Sequence, residues 1–358
     1  MSKQILLIAL FYLFAIPKIF AQVSEYRGQT STGAYYKIEV PQAWLPEDGL
    51  VIWNHGYQGY TQTSPDSNPS LGPLADVALE QGYAIAASSF SQTGWAVFNS
   101  HIDNQQLFEK FVELVGTPEK VFIQGGSMGG IVSLRDLESG IIPDVDGALL
   151  LCGAVAGAQN WYNAFDLRMV YEAVCEDVSG AELPTQFWYE QPNLVRGELD
   201  FLDSLERCTG LITSEQVGGV LGALLRSSDQ NERLNRILDI TQIDISFLLL
   251  NLGYAVFELP SLVNHPKKLN GLLPFDNAAV DYGDADINLR VKRNAALPSS
   301  RQLLLENYSP SGNIGDTKIV SIHTSRDDLV SVGNQRLLRD LIPASQLSIA
   351  VAVEEEPS

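Results

Sequence analysis

The 358-residue sequence is short of cysteine, histidine and positive charge, and each shortage removes a class of function. Its three cysteines and four histidines form no C-x-x-C pair and no Cys/His spacing of the zinc-binding kind, so no metal is expected. No phosphate loop with its lysine and no spaced G-x-G-x-x-G appears, so no cofactor is expected either. Lys and Arg total 23 against 43 Asp and Glu, a net charge of −20. Such a surface repels phosphate backbones and anionic lipid, which excludes nucleic acid and membrane surfaces as partners. Internal repeats and low-complexity tracts are absent. The composition, 45% hydrophobic and 18% charged, is that of a globular protein.

Long apolar runs are also scarce. The one at the N-terminus follows Lys3, extends from Ile5 to Ile16 and is broken by Pro17 and Lys18. It is too short for a comfortable membrane span. With Ile19-Phe20-Ala21 before Gln22, it has the layout of a signal peptide over residues 1–21, cleaved after Ala21. The expected location is secreted or periplasmic, without stable membrane association after cleavage. In an exported chain an odd cysteine count stands out. Cys175 and Cys208 can pair and leave Cys152 over. Cys152, within the apolar run GALLLCGA, also suits a buried thiol.

Along the chain, GAYYKIEVPQAW alternates and predicts an edge strand. GLVIWN, YAIAASSF, KVFIQ and DGALLLCGAV are continuous apolar runs, the mark of buried parallel strands, and they alternate with helical patterns at 74–81, 102–115 and IVSLRDLES. The rhythm stops over 157–300, where helical patterns such as VGGVLGALLRS and ISFLLLNLGYAVFEL dominate. It resumes at KIVSIHTSRDDLV, continues with a helix at 333–341 and ends on the strand QLSIAVAVEE. This predicts an α/β fold with a mostly parallel sheet covered on both faces. The core comprises 22–156 and 301–358, with a helical cap inserted at 157–300.

The most informative motif is Gly125-Gly126-Ser127-Met128-Gly129, a G-x-S-x-G between a predicted strand and a predicted helix. A nucleophile on such a turn needs small neighbours two positions away, because chain segments crowd there, and the helix N-terminus favours developing negative charge. A glycine-rich turn can instead cradle phosphate, but its usual companions are missing. Ser127 is therefore the candidate nucleophile.

The blocks WNHGYQGY, GYAIAASSFSQTGWAV, VFIQGGSMGG, LLPFDNAAVDYG and SIHTSRDDLV follow one another in an order that resembles the α/β-hydrolase family. Exported bacterial esterases are the nearest group, loosely similar to tannases, feruloyl esterases and hydroxyalkanoate-oligomer hydrolases. The resemblance implies the α/β-hydrolase fold, and hydrolysis of a small or oligomeric carboxylic ester through an acyl-enzyme. It implies that the backbone N–H groups of Tyr57, after the His55-Gly56 turn, and Met128 form the oxyanion hole. It places the catalytic acid at Asp327, with Asp328 the runner-up and an acidic surface turn the plainer alternative. One expected part is lacking. No histidine follows Asp327, although the family carries its base after the last strand. His55 and His323 belong to their motifs, and His101 and His265 suit solvated surface positions. The expectation is that the base lies beyond residue 358. A serine exopeptidase of the same fold and a non-catalytic binding protein remain as alternatives.

Overall fold

The computed structural model describes residues 22–59, 61–211 and 225–353. The segment 1–21 expected to be a signal peptide, most of the VGGVLGALLRS pattern and the closing EEEPS lie outside the described residues.

Eight strands form one sheet in the order β1-β2-β4-β3-β5-β6-β7-β8. They are β1 (Val23–Gln29), β2 (Tyr35–Pro41), β3 (Leu50–Asn54), β4 (Ala84–Ser88), β5 (Val121–Gly126), β6 (Val145–Leu151), β7 (Lys318–Thr324) and β8 (Leu347–Ala352). β1/β2 and β2/β4 pair antiparallel, and every other pair is parallel. The continuous apolar runs have the expected cause: alternate residues serve opposite faces. Leu50, Ile52, Ala84 and Ala86 join the large core on one face, whereas Val51, Trp53, Ile85 and Ala87 pack with Leu71, Ala78 and Leu79 on the other. Helix α1 (Ala75–Glu80) covers that second face, and α2 (Ser100–Leu114) and α3 (Met128–Ser139) contribute to the large core.

One expectation is corrected. The GAYYKIEV strand is not an edge: β2 sits between β1 and β4. The edge is β1, VSEYRGQ, whose Glu25 and Arg27 pair on the exposed ribbon. Charged edge strands suppress sheet-to-sheet association, and the same charges hide the strand from a search for apolar runs.

Between β6 and β7 the described residues contain helices and no strand. They are α4 (Ala158–Val174), α5 (Leu194–Thr209), α6 (Ser228–Thr241), α7 (Ile245–Gly253), α8 (Leu259–Asn264), α9 (Ala285–Arg290) and α10 (Pro298–Tyr308); a π-helical turn, Tyr254–Glu258, joins α7 to α8. The run Ile245–Asn264 is long and apolar enough to cross a membrane, but 56% of its most apolar window is buried inside the protein. Cys175, at the end of α4, is bonded to Cys208 in α5, with Cα atoms 5.7 Å apart, and Cys152 is free. Closing a 33-residue separation contributes about 3–4 kcal/mol in the chain-entropy account. After β7, α11 (Asn334–Leu341) leads into β8.

Candidate active site

Ser127 stands between β5 and α3 with φ 53° and ψ −122°, a conformation that side chains rarely adopt. Three backbone bonds hold it there: its N–H donates to Leu151 O (3.0 Å), and its carbonyl accepts from Gly130 (2.9 Å) and Ala154 (2.8 Å). The glycines of the motif are needed for space. A Cβ on Gly125 would lie 2.1 Å from Gly129 O, and one on Gly129 would lie 2.0 Å from Asn54 O. Ser127 Oγ has no hydrogen-bond partner among the described residues.

The loop after β3 passes beside this turn, since a Cβ on Gly56 would lie 3.3 Å from Ser127 Cβ. His55 shapes that loop. Its Nδ1–H donates to Gly56 O (2.7 Å), its ring stacks on Phe90, and burial lowers its pKa. Tyr57 follows, and its hydroxyl donates to Glu258 at 2.5 Å. Met128 heads α3, where first-turn N–H groups have no helical acceptor.

Beneath the two loops lies a buried polar network that sequence reasoning missed. Asp136 Oδ2 accepts from Asn54 Nδ2 (2.9 Å) and Asn104 Nδ2 (2.7 Å). Asn54 also donates to Ser133 Oγ, which in turn donates to Gly129 O (2.7 Å). Burial raises the Asp136 pKa to about 7. The network ties β3, α2 and α3 together directly behind Ser127. Its one sequence signal was an asparagine closing the apolar run LVIWN.

Asp327 lies in the turn after β7. Its Oδ1 accepts the N–H groups of Leu329 (3.1 Å) and Val330 (2.8 Å), and its Oδ2 accepts no hydrogen bond among the described residues. Leu329 and Val330 line a pocket with Ser127 and Tyr57, so this turn borders the serine. Asp328 is differently engaged: its Oδ2 accepts the Asp244 N–H at 2.6 Å, on the helical segment.

The histidines do not supply a base at this pocket. His323 is fully buried; its Nε2–H donates to Val330 O (2.6 Å), and its Nδ1 accepts from Gln335 Nε2 (3.0 Å). His101 accepts from Arg135 Nε (3.2 Å), and burial lowers its pKa to about 4. His265 accepts the N–H of Lys267. None of the four lines the Ser127 pocket. Cys152, His323 and Asp327 each bring a donor atom within 4.8 Å of one another. Because both His323 nitrogens are already bonded, the group presents no open histidine ligand.

The strand order, the turn carrying Ser127 and the Asp327 turn after β7 together define the α/β-hydrolase fold. No protein-family model matches the chain, and no curated protein matches it either. Solved structures of similar shape include an esterase of Pyrococcus furiosus, at 11% identity and TM-score 0.42, covering 93% of this chain and 81% of that one. An esterase of Rhodococcus matches at 13% identity and TM-score 0.40, covering 92% and 90%. A serine hydrolase of Cycloclasticus zankles matches at 14% identity and TM-score 0.39, covering 93% and 90%.

Proposed function

We propose that the protein is an exported serine hydrolase that cleaves carboxylic esters through an acyl-enzyme on Ser127. The observation that carries this reading is the strained Ser127 turn, heading α3 and opening into a pocket that the Asp327 turn borders. A binding protein has no need of a serine held at positive φ, because that strain is an expense without chemistry. The Cys175–Cys208 bond supports an oxidising compartment and therefore export.

In this reading Ser127 Oγ attacks the ester carbonyl carbon. The N–H groups of Tyr57 and Met128 receive the charge that develops on the carbonyl oxygen. An imidazole takes the serine proton and passes it to the departing alcohol; water then cleaves the acyl-serine and restores the hydroxyl. None of the four histidines lines the Ser127 pocket; in this reading the imidazole stands between the Asp327 carboxylate and Ser127 Oγ. The missing base favours one second reading, a binding protein built on the same pocket.

The test is turnover of p-nitrophenyl acetate by the full-length gene product, alone and with added free imidazole. Turnover in either condition that Ser127→Ala abolishes supports the hydrolase. No Ser127-dependent turnover in either condition leaves the binding reading.

A further inference from the structure

The space around Ser127 is divided unequally. Directly at the serine is a pocket of about 50 Å³. Four aromatic rings wall it: Tyr57 and Trp95 from the core loops, Trp161 from α4, and Tyr254 from the π-helical turn. The rings brace one another, with centroids 5.5 Å apart for Trp95–Trp161 and 5.4 Å for Tyr57–Tyr254. Tyr57 is further anchored through its hydroxyl to the buried Glu258 carboxylate, so this wall has little freedom to retreat. Trp161 is buried, and its Nε1–H has no acceptor among the described residues. Such a donor is open to a hydrogen bond with a molecule that enters the pocket.

Next to this box is a second cavity of about 400 Å³, which shares Asn160, Asn251 and Leu329 with it. Its character is different. Asp166, Asp281 and Asp328 line it together with Asn163, Thr241 and Tyr282, and no Lys, Arg or His does. Asp281 is held below the usual carboxylate range by N–H donors from Gly283 and Asn288, so it stays charged.

We propose, on the basis of the esterase reading, that the substrate is a short-chain acyl ester, acetyl in size, of a larger polar alcohol without negative charge. The acyl group occupies the aromatic box and the alcohol occupies the polar cavity. The roughly eightfold difference in volume sets this assignment, because an acyl chain longer than a few carbons has nowhere to go without displacing an interlocked ring. Overfilling a packed pocket forces side chains off their rotamers and shifts the backbone. Three carboxylates disfavour an anionic alcohol by like-charge repulsion. Trp161, Tyr254 and Ala164 are then specificity-determining residues for acyl length, and Asp166, Asp281 and Asp328 are those for alcohol charge.

The test measures kcat/KM for p-nitrophenyl acetate, butyrate and octanoate, and for two acetyl esters of similar size, glyceryl monoacetate and acetyl lactate. The proposal expects at least a tenfold fall from acetate to octanoate, and at least a fivefold preference for the glyceryl ester. Trp161→Ala should raise octanoate relative to acetate at least tenfold. Ala164→Leu narrows the pocket and should lose butyrate before acetate, which keeps the idea testable if the tryptophan variant fails to fold. If p-nitrophenyl acetate is turned over through Ser127 but octanoate is equally good, or acetyl lactate matches the glyceryl ester, this proposal fails while the esterase reading stands. If no ester is turned over and Ser127 does not react with a fluorophosphonate, both fail.

Discussion

The two corners of the candidate site are built to different degrees. Around Ser127 the backbone makes three hydrogen bonds, the glycines leave no spare space, and a buried Asn54–Asn104–Asp136 network braces the turn from behind. Around Asp327 one carboxylate oxygen is fixed by two N–H groups, and the other accepts no hydrogen bond among the described residues and lies 3.9 Å from His323 Nε2. The contrast teaches that the two roles have different physical requirements. A nucleophile is placed by backbone geometry, which local sequence dictates. An acid's role is to orient an imidazole, and it can be in position without one.

The largest effect should come from the built corner. Ser127→Ala should reduce Ser-dependent ester turnover to background, with the fold intact by circular dichroism. Residual turnover within tenfold of the parent would move the nucleophile elsewhere. The other corner should respond next. Asp327→Asn should cost about 10⁴ in kcat if an imidazole is oriented there, whereas Asp328→Asn should cost less than tenfold on p-nitrophenyl acetate. Equal losses would erase the distinction between the two acids.

A third prediction probes the brace behind Ser127. Asp136 has its pKa raised from 3.8 to about 7 in the folded protein, so the folded state retains a proton that the unfolded state has lost between those values. Its contribution is therefore fully favourable below about pH 4 and declines as pH rises toward 7. Asp136→Asn removes that dependence. Relative to the variant, the parent should lose on the order of 2–4 kcal/mol across this range in urea unfolding. Parallel stability curves would contradict the assignment. The smallest effect is expected from Tyr57→Phe, which removes the bond to Glu258 and should cost about 1–2 kcal/mol of stability and a few-fold in activity. A loss above a hundredfold would give the hydroxyl a direct part in the chemistry.

The same contrast explains what was legible in the sequence. β3 to β6 and the Ser127 turn followed from continuous apolar runs and a glycine-rich pentapeptide, because local sterics alone demand those residues. The Cys175–Cys208 pairing was one of the open possibilities, and the structure selects it by bringing the end of α4 to within a bond of Cys208 in α5. β1 was missed because an edge strand carries charge. The Asn54–Asp136 brace was missed because its partners stand 82 residues apart and no local pattern marks a buried acid. Of the aromatics between β6 and β7, Trp161 reached the serine pocket, while Trp188 and Phe275 pack on Phe165 in the core. One-dimensional spacing does not separate those fates.

The central claim is that Ser127 is the nucleophile. Treating the full-length protein with a fluorophosphonate and mapping the adduct by peptide mass spectrometry tests it most directly. The account predicts a single stoichiometric phosphonyl adduct on the peptide containing Ser127, absent from Ser127→Ala and blocked by a short acyl ester. An adduct on another serine, or equal labelling of the Ser127→Ala protein, would contradict it.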